Sequence, residues 1–483
     1  PGLGQMALEA EPKSYHEAVL WTWQGHPGVP YVPHMGVPTP VDRRHFLGAG
    51  LVAAGQGLFA RSLLGSGHQP EGTAQYARLH GTNLFTGDNF FKARPWADVR
   101  AYGAKGDGVA DDAPAIQAAI DALGTRGGVV FLPVGTYRCD EALDLDTKAS
   151  VTLRGNTESN AGATAASVLN FTQGGSAALI SAQSSYGVSL SGLQILYAST
   201  SFTGSVIDYR GLQGHDTAFG RVEHCYLGGN NSRSAGSLIA LDKAIDMSIR
   251  HTTMRDAAAA LQGQAASSYS NRVLVQDCQF DYISVAAAKN PGDAWCFVGN
   301  TFEGGMYGAR GVAFDEGIAM PRALSFLGSW FGDVEPGTGS VWLDLSVGVD
   351  GLSFMGNFLG GVAASTTGIR LGADGCAGML VAGNHFVSLG TAVDFGSTTG
   401  HGGIMIGPNS YGAVTTRVGG TVPEGLIEDQ ASPTRYRLVS AATLRTEHVG
   451  SSIPSGGSSG DLKVGSGKLW VNDAGTWKSL ALG

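Results

Sequence analysis

Short apolar segments recur along the chain, and each contains a polar corner built from glycine and a small polar residue. The clear copies are Val298–Phe302, Leu327–Phe331, Met355–Leu359, Ala382–Phe386 and Ile406–Tyr411, with looser copies at Val222–Tyr226, Ile249–Met254 and Gln276–Phe280. Strand-rich repeats of about 20 to 30 residues are typical of a solenoid, because one coil cannot bury its own apolar face and must stack on the next.

The spacing of the anchor residues predicts the register of this stacking. The anchors are Phe280, Phe302, Phe331, Leu359, Phe386 and Tyr411, which lie 22, 29, 28, 27 and 25 residues apart. Stacked coils place equivalent side chains about 4.8 Å apart. Residues that are distant in the sequence are therefore predicted to form columns on the outer surface.

A distinct motif occupies residues 98–137. Asp111 or Asp112 is suited to cap a helix, and Pro114 suits the first helical turn. One apolar helical stripe follows, formed by Ile116, Ala119, Ile120 and Leu123. A helix with a single apolar stripe beside the first strands would cover the end of the solenoid, which otherwise exposes apolar core and unpaired strand edges.

This motif resembles the opening of the pectate-lyase-like superfamily of single-stranded, right-handed parallel β-helices. The matching residues are DVRAYGAKGDGVADD at 98–112, the amphipathic helix, and GGVVFLPVGTY at 127–137. The resemblance implies an all-β fold with an N-terminal capping helix. The superfamily includes pectate lyases, rhamnogalacturonases, epimerases and many bacteriophage tailspikes, so the motif implies a fold and leaves the activity open.

Composition divides the chain into three regions. Residues 1–92, with their proline-rich stretch, indicate an extended arm that attaches to a partner or a sister subunit. Residues 93–415 are predicted to form the β-helix. Residues 416–483 are predicted to form a linker and a small β module, in which residues 460–480 alternate apolar and polar positions through two hairpin-like strands. This module is similar to the short β modules that end phage tail proteins, and intertwining with copies of itself would stabilise it.

Overall composition narrows the classes of function. The chain has 483 residues, of which 43% are hydrophobic, 15% are charged and 74 are glycine, as in a turn-rich β protein with a large core. The net charge of -9 disfavours nucleic-acid binding. No uninterrupted apolar run approaches the ~18 residues that a membrane span requires. The five cysteines lack metal-ligand spacing and predict buried thiols. We expect no metal site and no cofactor.

Residues 42–48, which include Arg43 and Arg44, resemble a twin-arginine export signal. We interpret this stretch as part of an N-terminal domain, and export stays open as the alternative.

Stacking in register would gather carboxylates on one outer face. The residue after the anchor is Arg255, Asp281 and Glu303 in three successive coils, and Asp333 lies one rung beyond, two residues after Phe331. Carboxyl groups on adjacent rungs would lie about 5 Å apart, as in retaining glycosidases, and two rungs approach the wider gap of inverting enzymes. Crowding raises one pKa and gives a proton donor beside a base. We assign Glu303 as the acid and Asp281 or Asp333 as the base or nucleophile, with a structural role as the alternative.

Further side chains are candidates for binding a sugar substrate. Arg255 and Tyr282 could orient an acidic sugar, and Arg310 leaves a β-eliminating lyase open. Exposed aromatic rings suit the C–H faces of sugars; the candidates are Tyr282, Tyr307, Trp330, Trp295 and Trp342.

Three other sets of polar residues are predicted to be structural. A second column contains Asp242, Asp315, Asp344 and Asp394, and aspartates at strand ends usually cap turns. The ladder of Asn300, Asn357, Asn384 and Asn409 is expected to occupy left-handed corners and to stack its amides. The histidines His224, His251 and His385 are expected to be isolated.

Together, the residues and the resemblance predict a tailspike-type protein of a virion tail that binds and hydrolyses a bacterial surface polysaccharide. The resemblance implies a homotrimer. The other expected partners are the surface glycan and tail proteins bound through residues 1–92, with no nucleic acid and no membrane. The alternatives are a non-enzymatic receptor-binding or structural spike and a secreted bacterial polysaccharide lyase or hydrolase.

Overall fold

The computed structural model describes residues 96–156, 165–212, 214–229, 231, 233–266, 268–303, 310–332, 341–361, 365–372, 375–397 and 400–421, and the backbone of strands after residue 426. The predicted arm at residues 1–92 lies outside this range. The described residues contain three long ladders of parallel strands, to which successive coils contribute strands in turn. This arrangement confirms the parallel β-helix.

Ladder 1 begins beside the capping helix and runs to the last coil. Its strands are β1 (Trp96–Asp98), β3 (Gly128–Phe131), β6 (Val151–Arg154), β9 (Ser189–Ser191), β12 (Thr217–Ala218), β13 (Arg221–Glu223), β16 (Ala244–Arg250), β18 (Asn271–Gln276), β20 (Cys296–Val298), β23 (Arg322–Leu327), β26 (Val349–Met355), β29 (Cys376–Ala382), β32 (Gly402–Ile406) and β35 (Ile427–Asp429). Strands β12 and β13 both pair with β16.

Ladder 2 follows ladder 1 in each coil. Its strands are β2 (Asp107–Asp111), β4 (Gly135–Cys139), β7 (Ser167–Phe171), β10 (Gln194–Tyr197), β14 (Tyr226–Gly229), the first half of β17 (Thr253–Gln262), the first half of β19 (Gln279–Lys289), β21 (Thr301–Phe302), β24 (Trp330–Phe331), β27 (Phe358–Gly360), β30 (His385–Val387) and β33 (Ser410–Gly412).

Ladder 3 completes the coil. Its strands are β5 (Leu143–Asp144), β8 (Ile180–Ser181), β11 (Ser205–Asp208), β15 (Ala235–Ala240), the second halves of β17 and β19, β22 (Arg310–Ala313), β25 (Val341–Leu345), β28 (Thr367–Leu371), β31 (Thr391–Asp394) and β34 (Thr416–Gly419). Strand β34 carries this ladder past residue 415, where the sequence placed the end of the β-helix.

The predicted anchors stack in register in ladder 2, each pairing with the anchor of the next coil. Phe280 and Phe302 stack with their ring centroids 4.7 Å apart, and Phe302 and Phe331 stack at 4.3 Å. All three rings are fully buried. The periodic pattern therefore corresponds to a stack of anchors in the core, which is aromatic from Phe280 to Phe331.

The N-terminal end carries the helix α1 (Ala113–Ala122), between the 3-10 turns η1 (Val99–Tyr102) and η2 (Gly124–Arg126). The predicted stripe is buried: Ile116, Ala119, Ile120 and Leu123 are inaccessible to solvent. Asp112 occupies the N-cap position, but its carboxylate accepts hydrogen bonds from the backbone N–H groups of Lys105 and Gly106 at 2.6 and 2.9 Å. Asp112 thus ties the glycine-rich turn to the helix.

The asparagine ladder is structural, as predicted, but its conformation differs from the prediction. The Asn357 side chain donates to the Phe326 carbonyl at 3.0 Å and accepts from the Ser329 N–H at 2.8 Å. Asn384 repeats this pattern one coil further on. The left-handed φ belongs to the preceding glycine, as at Gly356 with φ 66°. Glycine adopts this conformation without a Cβ clash, which leaves the asparagine amide free to bridge coils.

The prediction of sugar stacking is wrong for two of the aromatic residues. Trp295 and Trp342 are core residues, with 0% and 1% of their surface exposed. The Trp295 indole N–H donates to the Ser270 hydroxyl at 2.7 Å, and that of Trp342 donates to the Gly360 carbonyl at 2.8 Å. Buried indoles need such a partner.

The prediction of buried thiols is confirmed for four of the five cysteines. All five thiols are free, and every one except Cys296 is buried. Burial raises the pKa of the Cys225 thiol to about 12, so this group is an inert part of the core.

The C-terminal module has three strands instead of the two predicted. Strands β37 (Leu462–Gly465), β38 (Lys468–Asp473) and β39 (Thr476–Ala481) form an antiparallel sheet. A separate strand, β36 (Tyr436–Leu438), pairs antiparallel with β35.

Candidate functional site

Ladder 2 passes directly into ladder 3 within β17 and β19, and the corner in these two coils lies within a continuous strand. In each coil one residue adopts a left-handed conformation near the junction, Asp256 with φ 60° and Tyr282 with φ 50°. The buried Tyr197 hydroxyl donates to the backbone carbonyl of Asp256. Left-handed residues other than glycine occur at many corners of the described coils. The charged residues that this junction carries therefore distinguish it, and its backbone conformation does not.

The junction brings charged residues of successive coils together. Arg255 pairs in register with Asp281. Glu303 lies on the next rung, because its N–H donates to the Phe280 carbonyl at 3.0 Å and Phe280 pairs with Phe302. The order Arg255, Asp281, Glu303 along the face matches the column read from the sequence.

Asp256 is a third carboxylate at the junction, and it is absent from the residues predicted for the site. Its side chain is 2% exposed, and its Oδ2 accepts from the Arg255 Nε at 3.1 Å. The Arg255 Nη1 lies 3.9 Å from the Asp281 Oδ2. One guanidinium therefore serves two carboxylates. In the sequence, Asp256 was marked by its position next to Arg255. The left-handed turn that buries its side chain could not be predicted from the sequence.

The electrostatics of the junction favour a protonated aspartic acid. Burial raises the pKa of Asp281 to about 6, the Arg255 guanidinium opposes the shift, and the carboxylates of Asp256 and Glu303 add to it. Burial also raises the pKa of Asp256, again opposed by Arg255. The Oδ1 atoms of both aspartates are buried and accept no hydrogen bond from the described residues. Carboxyl groups with strongly perturbed pKa values cluster at functional sites.

The ring of Tyr282, a residue predicted to bind the sugar, lies against two arginines. The guanidinium carbons of Arg255 and Arg233 lie over its ring, 4.7 and 5.2 Å from the centroid. Such cation–π contacts hold the guanidinium groups in place. Tyr282 therefore positions Arg255 beside the two aspartates.

A polar cleft of about 340 Å³ adjoins the carboxylates on the same face. Its lining residues are His251, Thr252, Thr253, Asp277, Cys278, Gln279, Gly299 and Thr301. The Gln279 amide donates to the Glu303 Oε1 at 3.4 Å, which links the cleft to the carboxylate pair. Contrary to the prediction, His251 is not isolated: it stacks on His224 at 4.9 Å, with its Nδ1 3.9 Å from the Asp277 Oδ2.

The remaining predicted site residues lie elsewhere. Arg310 begins β22 on ladder 3 and forms an ion pair with Asp344 at 2.7 Å, so it belongs to the second acidic column and not to the carboxylate pair. Tyr307 and Asp333 lie outside the described residues. Trp330 is on ladder 2 and is 46% exposed.

The second acidic column is held by ion pairs and turn hydrogen bonds. Asp344 also approaches Arg370 at 3.5 Å, and Asp315 pairs with Lys289 at 2.9 Å. The Asp394 Oδ1 accepts from the Gly396 N–H at 3.0 Å. These satisfied carboxylates fit the structural role expected for them.

Neither a metal-binding cluster nor a membrane-spanning helix is found in the described part of the chain. Within it, no group of three or more His, Cys, Asp or Glu side chains could hold a metal ion. No helix there is long and apolar enough to cross a membrane.

Comparisons with known proteins agree with the fold. Residues 96–310 match the family model described as rhamnogalacturonase A/epimerase, pectate lyase-like. The enzyme DFA-IIIase of Arthrobacter chlorophenolicus A6, solved as a cysteine-to-alanine mutant in complex with DFA-III, aligns with a TM-score of 0.50 and 13% identity, over 70% of this chain and 86% of that one. At this identity the likeness concerns the fold alone.

Two curated relatives from Azotobacter vinelandii share short segments with the chain. Mannuronan C5-epimerase AlgE3 is 50% identical over 56 residues, which are 11% of this chain and 3% of that protein. Alginate lyase 7 is 57% identical over 51 residues, which are 10% of this chain and 6% of that protein. The chain thus matches only a small fraction of the length of either relative.

Proposed function

We propose that this chain, whose residues 96–310 match the pectate lyase-like family, acts on a polysaccharide and cleaves it by hydrolysis at the junction of ladders 2 and 3. The observation that carries the proposal is the pair of carboxyls on adjacent rungs, in which Asp281 has a pKa of about 6 and Glu303 lies one rung away. A protonated carboxyl beside a second carboxylate is the arrangement that glycoside hydrolysis requires.

The electrostatics favour exchanging the roles that the sequence suggested. Burial raises the pKa of Asp281 to about 6, and we propose that it donates its proton to the glycosidic oxygen as the bond to the leaving sugar breaks. Glu303 supplies the carboxylate on the next rung, where the spacing of about 4.8 Å suits attack on the anomeric carbon. Water then releases the sugar from Glu303 while Asp281 takes a proton from that water, which restores both groups.

Arg255 supports this cycle from the neighbouring rung. When Asp281 loses its proton, the guanidinium 3.9 Å away stabilises the new anion. Asp256 and the Tyr282 ring hold that guanidinium in place. The arginine is thus a positioning and electrostatic residue in the proposal, and the proton donor is the aspartate.

We further propose that the protein is a tailspike-type protein of a virion tail, with a bacterial surface glycan as its substrate. The support is the small C-terminal β module, which is similar to the short β modules that end phage tail proteins. A homotrimer and attachment to other tail proteins through residues 1–92 are part of this proposal.

Incubation of the full chain with a panel of purified bacterial capsules and O-antigens tests the proposed reaction. We expect one glycan to be shortened, with new reducing ends and no ultraviolet absorbance from unsaturated uronates. Unsaturated products would identify a lyase and contradict hydrolysis. Tight binding without any cleavage would identify a receptor-binding spike and contradict an enzymatic role.

A further inference from the structure

An exposed aromatic stack lies on ladder 2 immediately after the carboxylate pair. Trp330 pairs in register with Thr301 on one side and with Phe358 on the other. The Trp330 and Phe358 rings stack face to face, with centroids 4.0 Å apart and an angle of 7° between the planes. His385 follows on the next rung, edge-on to Phe358 at 5.6 Å. These three side chains form what we call the aromatic wall.

Two glycines shape the aromatic wall. A Cβ on Gly332 would lie 2.3 Å from the Trp330 Nε1, and a Cβ on Gly360 would lie 3.0 Å from the Phe358 ring. Each ring therefore leans over the glycine two residues further along its own chain segment. The absence of a side chain there lets both rings stand in parallel across the face of the ladder.

The geometry leaves one face of Trp330 available. Phe358 covers the face toward the C-terminal coils, so the opposite face is turned to the rung of Thr301 and Glu303. Thr301 is small and also lines the polar cleft. A planar apolar surface thus borders both the cleft and the carboxylate pair, about 4.8 Å from the rung of Glu303.

We propose that the aromatic wall is a sugar-binding subsite, in which the indole of Trp330 packs against the C–H face of an uncharged pyranose next to the bond that is cleaved. This inference rests on the proposed function for its substrate class. The surface is apolar, and its described neighbours on the same column, Thr301 and Phe358, carry no charge, so an uncharged ring suits it better than a uronate. The glycan would then run along the axis of the β-helix, from the cleft across the carboxylates to the wall.

Binding measured without cleavage tests the wall separately from the chemistry. The glycan found in the panel is titrated against an Asp281→Asn variant, with and without a second change at the wall. We expect Trp330→Ala to raise the dissociation constant by about 3- to 10-fold, the range of one aromatic contact. Gly332→Ala should have a similar effect, because the new methyl group displaces an intact indole. Trp330→Phe should retain most of the affinity.

The matched control is Tyr186→Ala, which removes another exposed aromatic ring, 58% exposed and away from ladder 2. This change should leave the dissociation constant unaltered. A dissociation constant that is unchanged by Trp330→Ala would overturn the subsite, even if the wild type cleaves the glycan normally. Loss of affinity without any cleavage by the wild type would support the subsite and contradict only the hydrolase. Failure of the wild type to bind any glycan would overturn both.

Discussion

Replacing Asp281 with asparagine should lower the turnover number on the cleaved glycan by about 10²- to 10⁴-fold, the usual contribution of a general acid. The amide keeps the shape of the side chain but cannot donate a proton to the leaving oxygen. Steady-state kinetics on the purified glycan measure the effect. KM should change little, because the variant retains the cleft and the aromatic wall.

Glu303→Gln should lower the turnover number to a similar extent. The double variant should lose little more activity than either single variant, since the effects of residues that act as a unit are not additive. The matched control is Asp315→Asn. Asp315 is also an aspartate beside a cation on the β-helix, but it follows the end of β22 on ladder 3 and pairs with Lys289 at 2.9 Å. Full activity of Asp281→Asn, or equal losses in all three variants, would contradict the assignment.

The second large effect is on stability. Asn357→Ala should lower the free energy of unfolding by about 2 to 6 kcal/mol, because two buried backbone groups then lose their partner at about 1 to 3 kcal/mol each. Those groups are the Ser329 N–H and the Phe326 carbonyl. Denaturant unfolding followed by tryptophan fluorescence measures the change.

Asn170→Ala is the matched control for this experiment. Asn170 is a partly exposed asparagine on β7 of ladder 2, outside the asparagine ladder. Its replacement should change the free energy of unfolding by less than about 0.5 kcal/mol. Equal effects of the two substitutions would mean that the inter-coil amide bridges contribute nothing special to the stacking of the coils.

The fold could be predicted from the sequence because one physical requirement repeats in every coil. Each coil must bury an anchor against its neighbours, so the spacing of Phe280, Phe302 and Phe331 predicted the register of ladder 2. The same register placed Asp281 and Glu303 on adjacent rungs, since each directly follows an anchor. Local spacing thus sufficed for the part of the site that lies on one strand column.

The rest of the site depends on features that spacing does not encode. The sequence could not show that ladders 2 and 3 merge in β17 and β19, and that junction is what buries Asp256 and places the ring of Tyr282 against two arginines. The inward or outward direction of an aromatic residue also depends on where its strand begins, which is why Trp342 was misjudged. Arg310 lies apart from the carboxylate pair because it begins β22 on ladder 3. The spacing of the anchors on ladder 2 does not predict positions on that ladder.

The central claim is that a protonated Asp281 drives cleavage, and the pH dependence of kcat/KM tests it most directly. Asp281 has its pKa raised from 3.8 to about 6 in the folded protein, so the fraction that carries the proton falls as the pH rises through about 6. Because this dependence reports the ionisation of the free enzyme, kcat/KM should fall about tenfold per pH unit above that value. Asp281→Asn should abolish this limb of the profile. A kcat/KM that stays constant or rises between pH 6 and 8 in the wild type would contradict the account.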